Sequence, residues 1–325
     1  MLVSILIPCF NAAPWVGRAI ESALDQSWPE TEVVVLDDGS TDDSLEVIRR
    51  YAPRIRIQQQ ANSGQNASRN RLTELGRGEW LIYLDADDEL APDCVEKKMA
   101  LAEQAEVIYG TMEVACFAGT TKTRFSTRVA VDYEDPIAAA FAWKFPNTTA
   151  MAFRKSAIRE AGGWDNTVKN CTDYALLFPL LRLGKRFRAA PASHSLYRQW
   201  SLGQAVYQDP LRKMRTRFNL MRTAAEGFAR AGLMTPQRQA AYERAAFEVL
   251  RSMARHNLPE TVALHAGWLN GNRRFVPTTG SRAYNAVYRI AGFATTERLA
   301  AGWRRWHRST GVPSYIDPKS GLPYD

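Results

Sequence analysis

The chain has 325 residues, 46% apolar and 23% charged, with 42 Lys+Arg against 34 Asp+Glu for a formal net charge of +8. That length and apolar content suit a large core and two domains, and no apolar run approaches the ~20 residues of a membrane-spanning helix. The cysteines Cys9, Cys94, Cys116 and Cys171 have no paired spacing, which reads as free thiols in a reducing compartment and argues against a zinc site or a disulfide framework.

The opening segment, Met1 to Pro8, carries no basic leader. It reads as a first strand, Val3 to Ile7, and not as a signal peptide, so the expected location is the cytoplasm. Trp15 to Leu24 has helical spacing (Val16, Ala19, Ile20, Ala23, Leu24) after Pro14. Glu32 to Leu36 is a second apolar strand, ending in Asp37-Asp38-Gly39-Ser40. Ser40 or Thr41 then caps a helix that carries Leu45 and Ile48. Arg54 to Gln58 reads as a third strand, Ser63 to Leu75 as a third helix, and Glu79 to Leu84 as a fourth strand. Strands separated by helices of this length predict an α/β domain with a mostly parallel sheet covered on both faces.

Beyond Pro92 the pattern predicts another helix, a strand over Ala105 to Ala115, and a polar excursion over 117–135. A helix starts at Arg154-Lys155-Ser156, followed by the turn Gly162-Gly163-Trp164-Asp165. From Pro210 the pattern is helical to about His307. Charge divides at the same point: residues 1–210 carry 23 Lys+Arg against 27 Asp+Glu, and residues 211–325 carry 19 against 7. A boundary near Asp209-Pro210 follows, with a basic helical region after it that calls for an anionic partner.

In open sheets of this kind ligands bind in the crevice at the carboxyl ends of the strands. The polar exceptions fall there: Pro8-Cys9-Phe10-Asn11, Asp37-Asp38-Gly39, Asn62-Ser63-Gly64 and Asp85-Ala86-Asp87-Asp88. The last is part of Leu84-Asp85-Ala86-Asp87-Asp88-Glu89-Leu90, four carboxylates in five positions after the buried-looking run Trp80 to Leu84. Like charges so close raise one another's pKa unless a cation or a set of donors is present. Either the cluster is a solvated turn capping the helix at Pro92, or something positive belongs there.

These segments, in this order and spacing, resemble family 2 glycosyltransferases of the GT-A fold. The likeness rests on Val3 to Asn11, Ala19 to Pro29, Val34 to Asp42, Asn62 to Asn70 and Gly78 to Asp88, and extends more weakly to about residue 200. It implies a Rossmann-like GT-A domain over 1–209, with a nucleotide-sugar half (1–100) and an acceptor half (101–209), followed by the basic helical region 210–325. It also implies that Asp87 of the Asp-X-Asp motif binds a divalent cation, Mn²⁺ or Mg²⁺, on the donor's diphosphate, with Asp85 facing the ribose or sharing the metal. Hard carboxylate oxygens suit those ions. Asp88 would anchor the loop. Phe10, between Pro8 and Asn11, would lie against the nucleotide base, although an aromatic just after a strand also reads as core. Asp38 matches the carboxylate that accepts from a uracil imide, favouring UDP, or else it caps a helix. Gly64 and Arg69 match the loop that approaches the nucleotide, with Arg69 equally readable as an ion-pair partner.

The resemblance places the general base at Asp173, after the Gly-Gly-Trp-Asp turn, with Thr172 where the family often has Glu; Asp165 is the alternative. Tyr197-Arg198-Gln199-Trp200 resembles a segment near the diphosphate, with Arg198 as its clamp and Trp200 where His is common. Pro179 is expected to kink the helix after Asp173 or shift its start. In the tail, Leu299, Trp303 and Trp306 recur at i, i+4 and i+7 beside Arg304, Arg305 and Arg308. That pattern suits either a membrane interface or tryptophans docked on the core. Nucleic acid is not expected, because no recognition motif accompanies the charge.

The expected function is metal-dependent, inverting transfer of a sugar from a nucleotide-diphosphate sugar to an acceptor hydroxyl. The acceptor would be a glycan or glycolipid of bacterial cell-surface polysaccharide synthesis, with peripheral contact to an anionic membrane; oligomeric state stays open. The rivals are a non-catalytic sugar-nucleotide-binding protein, in view of Thr172 and Trp200, and a nucleotidyltransferase, whose Gly-rich basic triphosphate cradle the opening loop lacks.

Overall fold

The computed structural model describes residues 1–118, 121–200, 209–271 and 275–309, with side chains at 117–118, 121–124, 199–200, 270–271 and 305–309 outside that description. Strand β1 (Val3–Cys9) is almost continuously apolar because both of its faces are covered. Val3, Ile5 and Ile7 point into one core and Leu6 into the other. It pairs in parallel with β2 (Thr31–Asp37), which pairs in parallel with β3 (Arg56–Gln59), and on its other side with β4 (Trp80–Tyr83). The helices between them are α1 (Val16–Leu24), α2 (Ser44–Arg49) and α3 (Gln65–Leu75). Carboxyl ends of β1, β2 and β4 therefore open on one edge, as the sequence leads one to expect.

The chain then runs through β5 (Glu89–Leu90), α4 (Cys94–Met99), β6 (Val107–Ala118), β7 (Thr121–Arg128), α5 (Pro136–Phe141), β8 (Met151–Arg154), α6 (Lys155–Glu160), α7 (Thr172–Arg182) and β9 (Phe187–Trp200). Among the described residues nine strands form one mixed sheet in the order β3-β2-β1-β4-β8-β6-β9-β5, with β7 paired to β6.

Two of these strands depart from the sequence reading. The polar stretch expected to be an excursion is half of a hairpin, in which Met112 opposes Arg128 and Ala115 opposes Phe125. Phe125 to Val129 are exposed, so no buried face imposed an alternating pattern for the sequence to display. Strand β9 is hidden for a related reason. Its inward residues include Ser193, Ser195 and Arg198, which are buried through specific partners and not through apolar character. Helix α7 carries Pro179 in its interior and starts at Thr172.

Three helices begin at a cap followed by Pro, a geometry in which the missing N–H costs nothing. Asp135 accepts from Ile137 N and Ala138 N at the start of α5. Asp209 accepts from Arg212 N at the start of α8 (Pro210–Arg230), and Thr235 from Arg238 N at the start of α9 (Pro236–Ala254). With α10 (Leu258–Gly271) and α11 (Arg282–Ser309, broken at Gly292) they make up the helical C-terminal region. One hydrophobic core runs from Leu6, Tyr83 and Phe153 in the sheet through Phe141 and Phe178 to Phe228 and Phe247.

Within that core lies a histidine with a measurable consequence. His265 stacks on Phe293 (4.3 Å between ring centres) and its Nε2 meets the Tyr288 hydroxyl at 2.9 Å. Burial pushes its pKa down to about 4. The unfolded chain takes up a proton near pH 6.5 that the folded chain refuses, so stability is complete above 6.5 and falls as pH drops toward 4, by about 3 kcal/mol. Urea unfolding between pH 7 and 4.5 is expected to show that loss in the wild type and a flatter profile in His265→Phe; parallel profiles would assign the acid sensitivity to other groups.

Candidate active site

The carboxyl ends of β1, β2 and β4 enclose a cleft of about 470 Å³. Pro8, Phe10 and Asn11 form one wall. Phe10 is 50% exposed, so its ring belongs to the cleft and not to the core. Asn11 holds φ 49; its N–H donates to Ser40 Oγ (3.0 Å) and its Oδ1 accepts from Thr41 N (2.8 Å), which ties the β1 loop to the β2 loop. Asp38 is buried beneath the cleft. Its carboxylate accepts from Gln60 Nε2 (2.7 Å), Ser63 N (3.0 Å) and Gly64 N (2.9 Å). A carboxylate has about four acceptor directions, so one remains for a ligand. Gly64 holds φ 90 at the start of α3, where a side chain would be strained. Gly39 (φ 74) packs backbone against backbone, since a Cβ there would stand 2.8 Å from Asn62 N.

The acidic loop after β4 is not a uniform patch of charge. Asp88 is fully buried, accepts from Thr149 Oγ1 (2.6 Å) and Arg198 N (3.0 Å), and is held well above the usual carboxylate range by burial, with Asp87 and Asp85 adding to the effect. Glu89 pairs with the Arg198 guanidinium, whose other arm donates to the Asp87 carbonyl (3.2 Å). Arg198 is 5% exposed and does not line the cleft. In this arrangement its guanidinium braces the acidic loop. Asp85 Oδ1 accepts from Arg69 Nη2 (2.7 Å). Asp85 and Asp87 are the two carboxylates of this loop that line the cleft. Among the described residues no group of three or more His, Cys, Asp or Glu stands ready for a metal. Two carboxylates still fit Mg²⁺ or Mn²⁺ when substrate phosphates complete the oxygen set.

Arg69 proves to be structural as well as charged. Only 1% exposed, it donates to Asp85 through one arm and to Thr172 Oγ1 (3.1 Å) through the other, with its guanidinium 4.6 Å from the centre of the Trp164 ring. Its neighbours on α3 grip the same segment. Asn66 donates to the carbonyls of Asp165 (2.6 Å) and Val168 (2.9 Å), and Asn70 exchanges two 2.8 Å bonds with the Trp164 backbone. Helix α3 thus fixes the turn that delivers α7.

At the head of α7, Asp173 Oδ1 accepts from both the N–H (3.1 Å) and the hydroxyl of Thr148. No hydrogen bond holds Oδ2 among the described residues. Asp165 is spent on its own turn, accepting from Thr167 N and Oγ1. Beside Asp173, Tyr174 stacks on Trp143 at 3.6 Å, and the Arg217 guanidinium covers that ring at 4.4 Å. Several contributors were invisible in the sequence. Thr148 and Thr149 lie in a single 3₁₀ turn without a motif. The Lys169 ammonium comes within 3.9 Å of a Cβ placed on Gly64, and no local signal marks it. His194 pairs with Glu113 away from the cleft, and the Trp200 side chain lies outside the described residues.

Sheet order, cleft and acidic loop define the class: a GT-A-type α/β fold with a cleft at the ends of the parallel strands. Residues 4–162 match the model for glycosyl transferase family 2, and that stretch of the chain belongs to the family. The glycosyltransferase YibD of Escherichia coli is 34% identical over 125 residues, which are 37% of this chain and 36% of that protein. A chondroitin synthase of E. coli is 33% identical over 195 residues, 56% of this chain and 27% of that protein. The chain therefore matches about a third or less of these relatives' length. In the solved structure of residues 1–349 of S. aureus TarS with UDP-GlcNAc, the likeness covers 99% of this chain and 95% of that one, with TM-score 0.62 and 17% identity. At that identity the fold alone is shared, and it includes the helical C-terminal region.

Proposed function

We propose that the protein transfers a sugar, with inversion, from a nucleotide-diphosphate sugar to an acceptor hydroxyl. The observation that carries this reading is the hydrogen-bonded path Asp85–Arg69–Thr172, which joins the cleft to the residue before Asp173. The acceptor oxygen attacks the anomeric carbon as Asp173 Oδ2 takes its proton, and the bond from that carbon to the diphosphate oxygen breaks. One displacement inverts the centre. Thr148 holds Oδ1 of that carboxylate, and in this reading Oδ2 is left for the proton. Phe10 takes one face of the base, and the remaining acceptor direction of Asp38 suits the N–H of a pyrimidine, which favours UDP. TarS was solved with UDP-GlcNAc, which supports a nucleotide-sugar donor here. Asp85 and Asp87 would hold Mn²⁺ or Mg²⁺, which when bound offsets charge on the leaving diphosphate.

The acceptor in this reading is a glycan or glycolipid of cell-surface polysaccharide synthesis, met from the cytoplasmic side. No helix among the described residues is long and apolar enough to cross a membrane. Ile290, Leu299 and Trp303 are nevertheless exposed on the basic α11, which supports peripheral contact with an anionic membrane, with vesicle pelleting as its test.

For the donor site, UDP with Mn²⁺ is expected to raise the melting temperature of the wild type and to lose that effect in Asp87→Ala. An equal shift in the variant would remove Asp87 from the site, and no shift with UDP-, GDP-, dTDP- or CMP-sugars would remove the donor reading altogether.

A further inference from the structure

Between α5 and β8 the chain reads Phe145-Pro-Asn-Thr148-Thr149-Ala150. Thr148 to Ala150 form one 3₁₀ turn, and three residues per turn set successive side chains about 120° apart. The two adjacent threonines, both buried, therefore serve different neighbours. Thr148 meets α7: its N–H (3.1 Å) and its hydroxyl both donate to Asp173 Oδ1. Thr149 meets the acidic loop: its hydroxyl donates to Asp88 Oδ2 (2.6 Å), while Arg198 N (3.0 Å) holds Oδ1 of the same carboxyl. Asp88 N donates in turn to the Asp85 carbonyl (3.0 Å), closing the loop from which Asp85 and Asp87 reach the cleft. A continuous path, Asp87–Asp88–Thr149–Thr148–Asp173, thus runs from the cleft carboxylates to the candidate base.

The parts of this path are stiff. Threonine is restricted at χ1, so the place of each hydroxyl is set once the turn is set. The segment before the turn is fastened to α7 as well. The Tyr174 hydroxyl accepts from Phe145 N (2.9 Å) and donates to the Phe145 carbonyl (3.2 Å), and Trp143 lies on the Tyr174 ring at 3.6 Å. Two ties now join the acidic loop to the head of α7, since Asp85–Arg69–Thr172 is the other. A single tie acts as a pivot. Two ties, meeting α7 at consecutive residues, fix the direction of the carboxylate as well as its place.

We propose that Thr148 and Thr149 are positioning residues of the transfer reaction, one rigid turn that registers the base against the carboxylates of the cleft. This rests on the transferase reading. Thr148 acts on the base, because two donors on Oδ1 favour the ionised carboxylate. Thr149 acts on the donor side, holding the acidic loop through Asp88. Both positions require a hydroxyl, and valine fills the same volume without one.

The test uses the full chain and the hydrolysis of UDP-GlcNAc, UDP-glucose and UDP-glucuronate with Mn²⁺, so that water stands in for the acceptor. Thr148→Val keeps the backbone bond to Asp173 and loses the hydroxyl. It is expected to lower kcat about tenfold and to leave KM and the UDP-induced rise in melting temperature unchanged. The acidic limb of its kcat profile is expected to move to higher pH, because a donor to the carboxylate has gone. The other titratable and charged groups about Asp173 stay as they are: Cys171, pushed up to about 11 by burial, Tyr174, raised further by burial, and Arg128, Lys213 and Arg217.

Thr149→Val is expected to show the opposite split, with KM raised about tenfold, a smaller rise in melting temperature from UDP with Mn²⁺, and the acidic limb unmoved. Thr148→Ser and Thr149→Ser keep the hydroxyls and are expected to recover most of each loss. Thr261→Val, in an equally buried threonine of α10 whose hydroxyl donates to the Asn257 carbonyl (2.6 Å), is expected to match the wild type in kcat, KM and pH profile. Identical behaviour of Thr148→Val and Thr149→Val overturns the assignment. So do losses that follow the urea unfolding midpoint and that serine does not recover. A wild type that hydrolyses a UDP-sugar while neither valine variant differs from it defeats this inference alone; a wild type that neither binds nor hydrolyses any nucleotide sugar defeats the transferase reading beneath it.

Discussion

Asp173→Asn is expected to lower turnover by about 10²–10⁴-fold, the usual worth of a positioned base, and to leave the UDP-induced stabilisation intact. Asn is nearly isosteric, and its oxygen accepts from Thr148 N as Asp173 Oδ1 does. What it loses is an oxygen able to take a proton. The fold therefore survives and the acceptor still binds, but nothing removes the hydroxyl proton as the new bond forms. Release of nucleoside diphosphate from the donor, followed with and without acceptor, measures the loss. A fall in turnover without a matching fall in donor affinity marks a group acting in the transition state. Activity above about a tenth of wild type would move the base elsewhere. Asp165 is a poor successor, since both contacts of its carboxylate lie within its own turn.

Much of the first hundred residues was legible because the signals there are local. A buried parallel strand is an apolar run, and β1 and β2 show it. Their ends carry the polar residues that Phe10, Asn11, Asp38, Gly64, Asp85 and Asp87 bring to one cleft. The illegible parts depend on partners far away in the chain. Arg69 meets a residue 103 positions on, and Arg198 closes on Asp88 from 110 positions away; no window of sequence records either contact. Read locally, Arg198 was a diphosphate clamp, and Arg69 was either a residue of the nucleotide loop or an ion-pair partner. Assembled, both are buried and committed to carboxylates of the acidic loop. Strands β7 and β9 escaped for a different reason, the first being exposed on both faces from Phe125 to Arg128 and the second buried through polar groups.

The commitment of Arg69 leads to the second large effect. Arg69→Ala removes the counter-charge of Asp85, the donor to Thr172 and the cation on Trp164 at once. Breaking a buried pair by deleting one partner costs about 3–5 kcal/mol, so a large fall in the unfolding midpoint is expected. Stability alone does not establish a link between cleft and base, and two gentler variants separate the effects. Thr172→Val keeps size and shape and removes one bond, so Asp85 stays paired while α7 loses its tie to the cleft. Turnover is expected to drop about tenfold with donor binding unchanged. Arg69→Lys retains charge for Asp85 but lacks the planar fork that serves two partners, and its turnover is expected to fall to a similar level. Because both variants cut the same connection, the double variant should be little worse than either single one, whereas independent sites add. Additive losses, or normal turnover in a folded Thr172→Val, would reduce Arg69 to a packing residue and separate the donor cleft from its base.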